Sequence, residues 1–137
     1  MKIKFRVVYN NKIIGYERLN KEGFWEWMCL ELNPDNWERW CKGVYPYDDN
    51  NIIIRNPYVN VNDEEGNETY EFDIINVTNK GIYNGNKIVV WDDILNCFVA
   101  VWEEEWKNWK NSQCGITYLK VTQGLHFKII GNLNNKI

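Results

Sequence analysis

Residues 58–91 read YVNVNDEEGNETYEFDIINVTNKGIYNGNKIVVW, and they decide how the rest of the chain is read. The stretch predicts three strands joined by two turns. An extended run begins at Tyr58. The polar segment 63–67 contains Gly66, which takes the positive φ that a tight reversal needs. Residues 69–77 are rich in aromatic and β-branched side chains, which suit one continuous strand. Residues 79–86 carry Gly81 and Gly85 and read as a second loop. Ile88 to Trp91 is too short and too β-branched for a helix.

On the N-terminal side, Asn56-Pro57 reads as a break after a short strand at 52–54. Further back, Asn33-Pro34-Asp35 is a helix start: Asn33 caps, Pro34 suits the first helical position and Asp35 complements the dipole. Trp37, Trp40 and Cys41 then share one face, and Lys42-Gly43 ends this short helix. Residues 24–32, FWEWMCLEL, read as a strand. Residues 3–9 and 13–19 read as a hairpin turning at Asn10-Asn11-Lys12. Lys2, Lys4, Arg6 and Lys12 are expected on one solvated face.

On the C-terminal side, Asp92-Asp93 opens a connection and residues 97–101 form a strand. A second short helix is expected near 102–111, with acids early and lysines late as the dipole favours. Trp102, Trp106 and Trp109, at i, i+4 and i+7, form one stripe on it. Residues 116–122 and 127–130 are the last strands, followed by a short tail.

The chain has 137 residues, 45% of them hydrophobic and 15% aromatic, with eight tryptophans. That suffices for one domain, or two small ones sharing a core. The net charge of −3 argues against non-specific binding to nucleic acid. No apolar run approaches a membrane span, and MKIKFRVVYN lacks the apolar core of a secretion signal. Cys29, Cys41, Cys97 and Cys114 form no C-x-x-C pair, and His126 is the single histidine. These features predict a cytoplasmic protein with reduced, mostly buried thiols and no metal or other cofactor.

Candidate chemistry is sparse. Setting Gly66 at the sixth position of a calcium loop puts Val61 and Phe72 at ligand positions, so that motif fails and a solvated turn is expected. No sequence spacing joins Cys114 to His126 as nucleophile and base. Asp92, Asp93 and the acids 103–105 already have structural roles as turn and helix-start residues. No phosphate loop or serine elbow exists, and no catalytic residue is assigned. Trp102, Trp106 and Trp109 are the candidate binding residues, either burying their stripe on a sheet or presenting rings to another copy or a partner.

The chain resembles the YopX-like family of small phage and prophage proteins. Ile3-Lys4-Phe5-Arg6 is similar to that family's opening. The central segment is similar to its pattern Y-T-G-x-x-D-x-x-G-x-x-I-Y-E-G-D-I-V, through Tyr58, Asp63, Gly66, Tyr70, Glu71, Asp73 and Ile74. Trp91-Asp92 with Phe98, and Ile130-Gly131-Asn132, follow in order. Residues 18–57 and 102–125 are not covered, and the usual Asn-Pro tail is missing. Asn60 and Phe72 stand where the pattern has glycines. The resemblance implies a mixed α/β N-terminal part over 1–57 and an SH3-like barrel over 58–137, with self-association and no established activity. The fold class expected is therefore α+β, mostly β: antiparallel strands, the barrel and two short helices. If the hairpin around Gly66 is intact, Phe72 should lie on a buried strand face.

The expected function is that of a non-catalytic phage or prophage accessory protein that forms a homo-oligomer and binds a host component, such as a defence protein, in the host cytoplasm. One alternative is a binder of a small nucleotide signal, which would need local Lys or Arg for the phosphates. Another, disfavoured by the acidic balance, is a nucleic-acid-binding module.

Overall fold

The computed structural model describes residues 2–30, 40–46, 53–78, 85–109, 117–118 and 126–135. It is mostly β, with antiparallel sheets, and divides at Tyr58/Val59 into two compact units.

The first unit begins with the hairpin of β1 (Lys4–Tyr9) and β2 (Lys12–Leu19). Asn10 and Asn11 both take positive φ, 51° and 63°, the mirror-image turn that matches the twist of flanking strands. β3 (Trp25–Cys29) adds to β2 and β4 (Cys41–Lys42) to β3, while β5 (Ile53–Asn62) pairs with β1 on the other side. Gly15 lets β3 approach: a Cβ there would run into the Met28 carbonyl and come within 2.6 Å of the Tyr45 ring. Val7, Val8, Met28 and Tyr45 are buried together with charge, because Glu17 accepts from Tyr45 N at 2.8 Å and from Arg55 Nε.

Several expectations for this unit change. The helix from Asn33 lies mostly outside the described residues, but Cys41 and Lys42, expected in its last turn, are strand. Asn56-Pro57 is no break. β5 runs through it, and Pro57 sits opposite Phe5 at the end of the β1 ladder, where its missing N–H interrupts nothing further. Lys2, Lys4 and Arg6 alternate on one face, yet Arg6 is only 4% exposed and donates from Nε and Nη2 to Asn56 Oδ1 at 3.2 and 3.1 Å. Position 6 is covered because β5 lies directly beside β1, with Arg6 opposite Asn56.

The second unit starts with the end of β5, whose hydrogen-bonded neighbour is β6 (Glu68–Tyr70). β7 (Asp73–Val77), β8 (Gly85–Asp92), β9 (Cys97–Trp102), β10 (Thr117–Tyr118) and β11 (Phe127–Asn132) form a sheet in the order β10-β9-β8-β7-β11. Among the described residues neither sheet closes into a barrel. The runs Ile88-Val89-Val90 and Val99-Ala100-Val101 are apolar without alternation because both faces of this sheet are covered. Val59, Ile75, Val77, Val89, Ala100 and Phe127 pack on one face. Ile74, Ile88, Val90, Val99 and Val101 pack on the other, under Trp109 and Leu133.

The expected single strand over 69–77 is two. Glu71 and Phe72 form a turn between β6 and β7, and Phe72 has φ 70°. Its N–H donates to Val89 O and its carbonyl accepts from Leu133 N, both at 2.8 Å, which holds a conformation unfavourable for a bulky side chain. Phe72 is therefore half-buried in a turn, packed against the second cluster, and not on a strand face. Asn60 is also at positive φ, 61°.

Residues Glu103–Asn108 are a 3₁₀ helix, not the α-helix expected. It follows β9 directly, and Trp102 supplies no side-chain cap, so a short segment gains little from the costly α nucleus. The early acids and Lys107 still follow the dipole.

Candidate functional site

The change of helix type decides where the tryptophans go. At three residues per turn, Trp106 and Trp109 eclipse each other, and Trp102 leaves the row. Trp109 is 9% exposed within the second cluster, and Trp106 packs partly buried against it. Trp102 is half-buried: its ring lies 4.5 Å from Lys87 Nζ and covers Gly85, where a Cβ would meet it at 2.8 Å. The structure thus brings Trp106 and Trp109 together and sets Trp102 apart, at the end of β9 with its ring over Gly85 and Lys87 of β8. Lys87 is almost fully buried, and that burial lowers its pKa below the ordinary lysine range.

The β8–β9 turn presents a different apolar group. Trp91 stands opposite Phe98, with ring centroids 4.9 Å apart in an edge-to-face contact. Beyond them Ile94 is 78% exposed and Leu95 51%, while Trp91 itself is 42% exposed. The turn is held open by Asp92, a buried residue whose Oδ1 accepts from Ile94 N at 3.0 Å and Leu95 N at 3.4 Å. Asn96 closes it at φ 52°. Asp92 is therefore a turn-former. Asp93 and Glu104 are solvated. Sequence reasoning missed this tip. Its signal was two large aliphatic residues in a turn, where Asn, Asp, Ser and Gly are usual.

The turn before β6 is not merely solvated, as expected. Asp63 is buried, and its carboxylate accepts from Glu65 N at 3.0 Å, Asn67 N at 2.8 Å, Asn67 Nδ2 at 3.3 Å and Ile129 N at 3.2 Å. Burial alone would raise its pKa, but these hydrogen bonds outweigh it and hold the carboxyl below the usual aspartate range. Those donors occupy the oxygens that a cation would need. Glu71 moves the other way: desolvation raises its pKa against one hydrogen bond from the Trp91 backbone.

Among the described residues no group of His, Cys, Asp and Glu is placed to hold a metal ion. Cys114 lies outside the described residues, so the Cys114–His126 pairing does too. Cys29, Cys41 and Cys97 are only half-buried, less enclosed than expected. No helix among the described residues is long and apolar enough to cross a membrane. No protein-family model matches the chain, and neither a curated protein nor a solved structure matches it.

Proposed function

We propose that the chain is a non-catalytic accessory protein of phage or prophage origin, of the YopX-like kind, that works in the host cytoplasm by binding a host protein. The observation that carries the binding role is the β8–β9 tip. Ile94 and Leu95 hold apolar surface in water on a turn stiffened by Asp92, and such surface marks an interface. The exposed Asp93 beside them and the net charge of −3 suit a partner with an apolar socket and a basic rim.

The family reading is supported by Asn60 and Phe72. Both stand where the pattern has glycine, and both adopt the positive φ that glycine takes most readily. With that reading come self-association and an SH3-like plan for the second unit, here as an open arrangement of short antiparallel strands. In the tryptophan stripe, half-buried Trp102 and Trp106 are the members with surface left for another copy.

The test is affinity capture from bacterial host lysate with the native chain and an Ile94→Asp/Leu95→Asp variant. A host protein retained by the first and lost with the second is expected. Capture of nothing, or equal capture by both, rejects the reading. Sedimentation of the purified chain checks self-association separately.

A further inference from the structure

We propose that a pocket in the first unit, at the β1–β4 end of its sheet, is a binding site for a phosphorylated small molecule with at least two negative charges.

Strand register builds the site. Lys4 stands opposite Arg18, Arg18 opposite Glu26, and Glu26 opposite Lys42. One row across β1, β2, β3 and β4 therefore carries three cations and one carboxylate on a single face. Lys2 and Lys21 join the row around a pocket of about 600 Å³, within the range of about 300–1,000 Å³ for small-molecule sites. Among the described residues the lining holds Glu22 and Glu26 as carboxylates and five cations.

Arg18 is pre-set for this work. Its guanidinium carbon sits 3.9 Å from the Trp40 ring centroid, and its Nε donates to Glu26 Oε1 at 3.1 Å. Stacking and that one bond fix the guanidinium plane. Among the described residues Glu26 is the carboxylate that pairs with Arg18, through Nε. The Nη edge suits the paired oxygens of a phosphate. Lys4 Nζ is steadied between Tyr16 and Trp40, 5.2 and 5.6 Å from their centroids. Asn20 ties the rim, its Oδ1 accepting from Glu22 N at 3.0 Å and Phe24 N at 2.9 Å, so Lys21 is carried on an ordered turn. Ile3 and Leu19 supply apolar wall, which leaves room for a non-phosphate part of the ligand.

This site is independent of the β8–β9 tip, and the Ile94→Asp/Leu95→Asp variant should bind its ligand normally. The experiment is calorimetric titration of the full chain with inorganic pyrophosphate, with ADP and with single-stranded oligonucleotides of two lengths. Saturable binding of pyrophosphate or ADP, one per chain and tighter than about 1 mM, is expected. Tighter ADP binding points to a nucleotide source, and equal affinity to inorganic phosphates. Arg18→Gln should weaken binding at least about tenfold. Should that variant fail to fold, Lys21→Gln/Lys42→Gln, two exposed positions, should do the same with an unchanged melting temperature. No saturable binding, or binding untouched by these variants, overturns the proposal. So does oligonucleotide binding that strengthens with length and is not displaced by pyrophosphate.

Discussion

The carboxylate of Asp63 accepts a hydrogen bond from the backbone N–H of Ile129 at 3.2 Å, across 66 residues of chain. Beside it Glu64 N donates to Phe127 O at 3.1 Å, and Lys128 Nζ meets Glu65 at 2.9 Å. The turn between β5 and β6 is thereby fastened to β11, the edge strand of the other sheet within the second unit. A single acid organises its own turn and a long-range closure.

Asp63→Ala should therefore cost about 2–4 kcal/mol, as expected for stranding several donors that a carboxylate satisfied. Urea unfolding measures it. A loss within the ordinary surface range, below about 0.5 kcal/mol, would mean water replaces the carboxylate. The pH sign follows from the lowered pKa. Asp63's contribution is complete above the unfolded aspartate value of about 3.9 and is lost as pH falls through the folded value. Acid destabilisation should be shallower in Asp63→Asn than in the native chain.

Glu71 carries the opposite sign. Its folded pKa is raised, so the folded state binds the proton more tightly, and stability falls as pH climbs from the unfolded value toward the folded one. Glu71→Gln should melt higher than the native chain at neutral pH. That advantage should shrink in acid, where Glu71 is already protonated in both states. A Gln variant that melts lower at neutral pH would show that the hydrogen bond from the Trp91 backbone outweighs desolvation.

Phe72 separates backbone strain from side-chain packing. Phe72→Ala loses a half-buried ring and should cost about 1–3 kcal/mol, less than the roughly 3–5 of a fully buried aromatic. Phe72→Gly loses the same ring but relieves a left-handed conformation that costs an L-residue about 1–2 kcal/mol. The Gly variant should thus be the more stable of the two by about 1 kcal/mol in denaturant unfolding. The reverse order would mean that position 72 is not held at positive φ.

Trp109→Ala should cost about 3–5 kcal/mol, as for a large side chain removed from a core, and leave the sedimentation coefficient unchanged. Trp106→Ala, at a half-buried position, should cost less. If either variant changes the assembly state while melting as the native chain does, that ring belongs to an interface.

Local chemistry was legible without the structure. Asn10-Asn11-Lys12 between alternating strands marked the hairpin turn, which the structure narrows to Asn10-Asn11, both in the left-handed region that asparagine tolerates. The apolar runs at 88–91 and 97–101 specified strands. Dipole-matched charges marked 103–107 as helical, though not which helix. Each of these signals acts within a few residues, so short-range sterics and periodicity carry it.

Cross-strand placement was not legible. Lys4 and Arg6 look alike along β1, yet β5 beside Arg6 supplies Asn56 and buries it, while Lys4 remains half-open beside Arg18. The row Lys4, Arg18, Glu26, Lys42 exists only through three strand registers, none of them written in local pattern. The stripe of tryptophans divided, with Trp109 buried in the second cluster and Trp102 and Trp106 half-buried, because a strand ran straight into a short 3₁₀ turn. The sequence by itself determined which segments extend and where many of them turn. Tertiary structure decided which of them meet, because register and burial are settled by contacts between segments far apart in the chain.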